Sequence, residues 1–261
     1  MEGGRGRYGG GQPQVSLRHS AKTDASGAHV LHMDFLSVKP PRPMTVFAQA
    51  TVMDVNRQAW AASASLLVHP AEHYVGLKTE AYFVEQGKPI DVQAMLVDLD
   101  GKPVIGHPIE VRVVRLDWKW QKGAYQTTEE DPQTCAPSSQ AEPVTCSFAT
   151  PQGGQYKITA TIVDDRGRPN QSEMTMWVAG GDLPPARNVE QEKVTLIPNQ
   201  KEYQHGDVAE ILVQAPFYPA EGILSLRRSG IVSTERFTMA AASTTLKVPI
   251  VDGYTPNVFV Q

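Results

Sequence analysis

No stretch of this 261-residue chain approaches the roughly eighteen consecutive apolar residues of a membrane-spanning helix. The opening MEGGRGRYGGGQPQ also lacks the apolar centre of a secretory leader, so the residues given read as soluble. Basic residues are few and dispersed. Arg112, Arg115, Arg227 and Arg228 sit among carboxylates in a chain of net charge -4, which excludes a continuous positive face for phosphates, and nucleic acid is not expected as a partner. There is no P-loop and no paired C-x-x-C, so no cofactor and no structural metal site are expected. A G-x-S-x-G elbow is missing as well, and no catalytic residue is assigned. Helical spacing nowhere persists beyond about two turns.

What remains is period two. In IEVRVVRLDW, Ile109, Val111 and Val113 alternate with Glu110 and Arg112, the pattern of a sheet with one dry and one wet face. Strands of this kind are expected at 29–36, 44–54, 63–69, 75–83, 90–98, 109–118, 144–150, 156–164, 172–178, 194–198, 208–215, 222–229, 232–239 and 244–250. The corners between them carry turn residues: Asp100-Gly101, Asp165-Arg166-Gly167 and Val55-Asn56-Arg57. An all-β chain of antiparallel β-sandwiches follows.

A repeat sets the domain count. ATVMDVNRQAWAASASLLVHP, residues 50–70, returns at a constant offset of 110 as ATIVDDRGRPNQSEMTMWVAG, residues 160–180. A unit of that size matches one seven-stranded sandwich, so the two copies mark the final hairpins of successive domains. The expected boundaries are 1–70 for the C-terminal part of one sandwich, 71–183 for a complete one, and 184–261 for a linker and the N-terminal part of a third. The joint GGDLPPARNVEQ has the glycines and paired prolines of a semi-rigid linker. Both ends of the chain thus read as cut.

Four features invite a chemical reading. DLDGK, 98–102, begins like a calcium loop, but the twelfth position is Ile109 rather than Glu, which leaves a tight hairpin. His29 and His32, three apart on an expected strand, face opposite sides and cannot share a metal. Trp118 and Trp120 share a strand face, open either to sugar stacking or to ordinary packing. Cys135 and Cys146 are separated by APSSQAEPVT, a loop-forming stretch that brings two Cα atoms within disulfide reach, so a Cys135–Cys146 bridge and an oxidising compartment are expected.

The stretch YVGLKTEAYFVEQGKPIDVQAMLVDLDGKPVIGHPIEVRVVRLDWKWQKGAY, followed by CSFATPQGGQYKITATIVDDRGRPNQSEMTMWVAG, resembles a macroglobulin-type domain of the bacterial alpha-2-macroglobulins. The later KVTLIPNQKEYQHGDVAEILVQAPFYPAEGILSLRRSGIV and VPIVDGYTPNVFVQ are similar to the domain that leads into the bait region of those proteins. The resemblance runs from about residue 20 to residue 261 and implies tandem fibronectin- or immunoglobulin-like sandwiches in a protease trap. In that family a target endopeptidase cuts an exposed bait, and the protein then encloses it or holds it through a thioester. Here neither cysteine lies in a Cys-x-x-Gln context, since Cys135 precedes Ala-Pro-Ser and Cys146 precedes Ser-Phe-Ala. The resemblance therefore carries over no working residue. It implies a non-enzymatic scaffold segment, inactive by itself, whose partners are neighbouring macroglobulin domains and, through the bait of the whole protein, endopeptidases. It also implies a periplasmic or cell-envelope location, with lipid anchoring of the whole protein open. The alternatives are a cell-surface adhesion or carbohydrate-binding array on the same fold and an accessory domain of an extracellular enzyme.

Overall fold

A computed structural model describes residues 17–32, 39–121, 124–180 and 193–261, with the side chains of residues 120, 121, 124 and 125 outside that description. The linker residues 181–192 also lie outside it. Two compact units divide the chain, Met1–Ser37 and Val38–Gln261. All regular structure among the described residues is β, and no helix there is long and apolar enough to cross a membrane. The all-β expectation holds.

In the first unit the only regular feature described is a turn at Asp24–Ala28. The strand expected at 29–36 is not found at residues 29–32, and its remainder lies outside the described residues. His29 and His32 are exposed, so the apolar alternation of this stretch has no described sheet to support it.

The second unit begins with an antiparallel hairpin, β1 (Met44–Met53) and β2 (Ala59–Val68). The middle of the unit is a two-layer sandwich. One sheet holds β3 (His73–Lys78), β5 (Ile90–Asp98) and β8 (Val144–Phe148) in the order β3-β5-β8. The other is ordered β4-β10-β9-β6-β7, from β4 (Phe83–Val84), β10 (Pro169–Val178), β9 (Gly154–Val163), β6 (Glu110–Gln121) and β7 (Ala124–Cys135). Only β4, beside β10, pairs in parallel. Alternation places Val75, Ile90, Val92, Leu96 and Phe148 from the first sheet against Val111, Val113, Tyr156, Ile158 and Ile162 from the second, all nearly solvent-free. At about 25 cal/mol per Å² of apolar area removed from water, this continuous layer is the largest favourable contribution to the fold.

A second sandwich follows. Its sheets are β11 (Thr195–Pro198), β12 (Val208–Gln214) and β15 (Ser243–Pro249), against β13 (Ala220–Arg227), β14 (Ile231–Met239) and β16 (Phe259–Val260). Ile211 and Val248 from one sheet meet Leu224 and Leu226 from the other. Gly222 lies directly opposite Phe237, whose ring occupies the space a side chain at 222 would need: a Cβ there would come within 2.3 Å of it.

Strand β7, AYQTTEEDPQTC, has no apolar alternation, and the period-two reading passes over it. It forms because it lies at the sheet edge, where only one backbone side is paired and polar side chains remain wet. The register slips between Val113 and Arg115, with Asp131 at φ 50° and Pro132 beside it. Proline fits here because a bulge on an edge strand does not need its missing N–H.

The corners share one construction. Asp54, Asp98 and Asp164 each open a five-residue loop in which the Asp N–H donates to the carbonyl of the fifth residue and the fourth residue's N–H donates to the Asp carbonyl. In each, the Asp Oδ1 accepts the N–H of the fifth residue, at 2.8 Å in all three. The Asp24 turn in the first unit repeats the pattern at 3.0 Å. The fourth position is left-handed: φ is 65° at Arg57, 80° at Gly101 and 75° at Gly167. A Cβ on Gly167 meets no atom within 4 Å, so Gly167→Ala tests conformational strain without a clash. We expect a loss of about 1 kcal/mol in urea unfolding, with the m-value unchanged.

Candidate functional site

The polar machinery of the chain is concentrated at the corner between β9 and β10. Asp164 is 4% exposed, although Asp is almost never buried unless paired. Its Oδ1 accepts the N–H groups of Arg166 and Arg168 within its own loop, at 3.0 and 2.8 Å. Its Oδ2 reaches out of the loop to the N–H of Glu72 just before β3 at 3.0 Å, and accepts Nε of Arg168 at 2.9 Å. Arg168 and Arg166 in turn pair with the Glu72 carboxylate. Burial pushes the Asp164 carboxyl upward, but the N–H of Glu72, the N–H and guanidinium of Arg168 and the N–H of Arg166 outweigh it and hold it well below the usual carboxylate range. Two further β10 side chains grip the same strand: Asn170 Oδ1 accepts the Val75 N–H at 3.0 Å, and Ser172 Oγ donates to the Val75 carbonyl at 2.5 Å. This is a structural tie between the two sheets. It offers no nucleophile and no open coordination position.

The opposite edge is tied covalently. Cys135 ends β7 in the five-stranded sheet, Cys146 lies in β8 of the other, and the two are joined in a disulfide. Beside it the Gln133 amide pairs like a strand with Ala149, donating to its carbonyl at 2.8 Å and accepting its N–H at 2.9 Å. Both cysteines of the chain are consumed by this bridge, so no free thiol remains.

The other candidates do not assemble a reactive centre. In DLDGK the Asp98 Oδ1 accepts the N–H groups of both Asp100 and Lys102, so that oxygen is spent on the hairpin. Trp118 is half-buried on β6, and the side chain of Trp120 lies outside the description. His73 and His107 meet edge to face with ring centroids 5.1 Å apart, and Asp165 lies 3.9 Å from His107. Among the described residues no three His, Cys, Asp or Glu side chains converge on a metal position. The outer face of β6, β7 and β9 carries ion pairs instead. Glu129 is shared by Lys157 and Arg112, whose hydrogen bonds hold its carboxyl below the usual range, and Lys119 pairs with Glu130 at 2.5 Å. Such exposed pairs contribute little to stability, typically below about 1 kcal/mol each.

A third feature is the joint between the two sandwiches, invisible as a motif. β12 reads Ile211-Leu212-Val213 without alternation, and all three residues are buried. Ile211 faces its own sandwich core, whereas Leu212 lies on the opposite face against Phe83 and Ala179, with Trp177 and Ile197 packed around them. A strand buried on both faces loses its polar positions.

No family model matches the chain. Among curated proteins it is 23% identical over 193 residues to an alpha-2-macroglobulin homolog of Nostoc sp., a match covering 69% of this chain and 10% of that protein. This chain is thus similar in sequence to a bacterial alpha-2-macroglobulin homolog. It spans about a tenth of the length of that relative. Solved structures of this family are also similar to the chain, at low superposition scores. The native conformation of the alpha-2-macroglobulin of E. coli is 17% identical with a TM-score of 0.35, and covers 84% of this chain and 15% of that one. The Salmonella alpha-2-macroglobulin reacted with methylamine is 16% identical with a TM-score of 0.33, over 84% and 15% of the respective chains. For this alpha-2-macroglobulin relative, the sandwich architecture rests on the strands and registers described above.

Proposed function

We propose that these residues are a scaffold segment of an alpha-2-macroglobulin-type, broad-spectrum endopeptidase inhibitor, and that they neither inhibit nor catalyse by themselves. The observation that supports this reading is the 193-residue match to an alpha-2-macroglobulin homolog, long enough to run through more than one sandwich. In this reading residues 71–183 are one complete macroglobulin-like domain. Residues 1–70 contribute the closing part of the domain before it, and 184–261 the opening part of the domain that leads to the bait.

The hairpin β1–β2 supports that assignment. Register pairs Val46 with Leu66, Ala48 with Ala64, Ala50 with Ala62 and Val52 with Trp60, which makes one face entirely apolar. At the repeat offset of 110 these positions match Tyr156, Ile158, Ala160 and Ile162 of β9, which face the middle core. Yet Val52 is 54%, Trp60 71% and Leu66 57% exposed, as on the inner face of a sandwich whose facing sheet is not among the described residues.

The partners in this reading are neighbouring macroglobulin domains and, through the bait of the whole protein, endopeptidases. The disulfide favours the periplasm or cell envelope, where such a bond persists. Both cysteines are bonded to each other, so no thiol is left for covalent capture. Incubated with trypsin, elastase or subtilisin, the 261-residue chain should give no stoichiometric protection of a large protein substrate and no adduct that survives boiling. Either product would show a working site that this reading lacks.

A further inference from the structure

We infer that the contact between the middle and last sandwiches is a built, rigid joint anchored by Leu212, which fixes their mutual orientation without help from the linker. The inference stands apart from the proposed inhibitor role and needs only the fold. Its basis is a sheet face used for a second purpose. The sheet β11-β12-β15 covers its own core with Ile211 and Val248, and turns Leu212 and Ile197, neighbours in register, outward. A solvent-facing sheet surface should be polar at these positions. Instead Leu212 is 0% exposed and packs on Phe83, at 3%, and Ala179, at 8%, both from the middle sandwich.

Hydrogen bonds surround this apolar centre. The Tyr82 N–H, just before β4, donates to the Asn199 carbonyl, just after β11, at 3.2 Å. Asn199 is itself held in place, its Oδ1 accepting the Tyr203 hydroxyl at 2.7 Å and the Glu210 N–H at 3.1 Å. On the other side Gly180 N–H donates to Ser243 Oγ at 3.0 Å, and Thr245 Oγ1 donates to Glu85 Oε1 at 2.6 Å. An apolar plug ringed by three directional bonds between the two sandwiches resists both sliding and hinging. A joint held by the linker alone would have left Leu212 wet. None of these residues belongs to the core of the middle sandwich, so the joint can be weakened without removing that core.

The test is orientation in solution. Residual dipolar couplings of the 261-residue chain should fit a single alignment tensor across residues 73–178 and 195–260. In Leu212→Asp, and separately in Ala179→Glu, the couplings within each sandwich should still fit its own strands, while the two tensors diverge and one falls in magnitude about twofold or more. Ala179→Glu guards against the case in which Leu212→Asp unfolds the last sandwich, because Ala179 lies outside its strands and keeps its backbone bond to Val84. Two different tensors in the unmodified chain would overturn the inference, as would a single shared tensor in a folded Ala179→Glu variant.

Discussion

Asp164→Ala should destabilise the middle sandwich by about 3 to 5 kcal/mol, the largest effect expected of any single polar substitution in the chain. The reason is what the truncation strands. The N–H groups of Glu72, Arg166 and Arg168 lose their acceptor, and Arg168 loses the buried carboxylate that balances it. These donors are part-buried, so each left without its acceptor costs toward the lower end of about 1 to 3 kcal/mol, and together they outweigh the small cavity of the missing carboxyl. Asp98→Ala supplies the control. Its carboxylate caps the same kind of loop in the same sandwich but makes no described bond to the other sheet, and about 1 kcal/mol should be lost.

The same group makes stability pH-dependent. The folded-state pKa of Asp164 lies below its ordinary value, so its contribution is complete above about pH 5 and is lost as the pH falls from about 4 toward the folded value. Urea titrations at pH 7 and pH 3 should therefore show the gap between the unmodified chain and Asp164→Asn closing on acidification. A gap independent of pH would mean that the carboxylate is not held as its ionised form.

Replacing both cysteines, as Cys135→Ala with Cys146→Ala, should cost about 3 kcal/mol, since the bond closes a ring over a sequence separation of 11 and removes that much loop entropy from the unfolded chain. The loss should be local in hydrogen exchange. β7 and β8 are edge strands of opposite sheets, and the bridge is one of few ties between them, along with the Gln133–Ala149 pair. Faster exchange is expected in β7, β8 and 136–143, with β9 little changed. Uniformly faster exchange would place the bridge in the global core instead. The sandwich should still fold, because the apolar layer is intact without the bridge.

Strands and corners were legible because their causes are local. Ile109, Val111 and Val113 alternate because one face is dry, and Gly101 and Gly167 stand where φ is positive. Edge strand β7 was not legible, since an edge needs no apolar pattern, and two-residue strands such as β4 and β16 are too short to show a period. The expected strand 75–83 divides into β3 and β4 on different sheets, a break that no residue announces. Asp100 and Asp165 are legible as turn residues, whereas Asp164 is not singled out, and its reach to Glu72, a separation of 92, belongs to the folded chain alone. The run Ile211-Leu212-Val213 did carry a signal, a lost alternation, which marks a second buried face and hence the joint.

The scaffold reading is tested most directly by one paired titration: the full-length protein that carries this segment, and residues 1–261 alone, each set against the same broad-specificity endopeptidase with a large protein substrate. The account predicts that the full-length protein protects the substrate at a fixed stoichiometry, whereas the 261-residue chain leaves proteolysis unchanged at a tenfold or greater excess. Protection by the isolated chain, or none by the full-length protein, would contradict it.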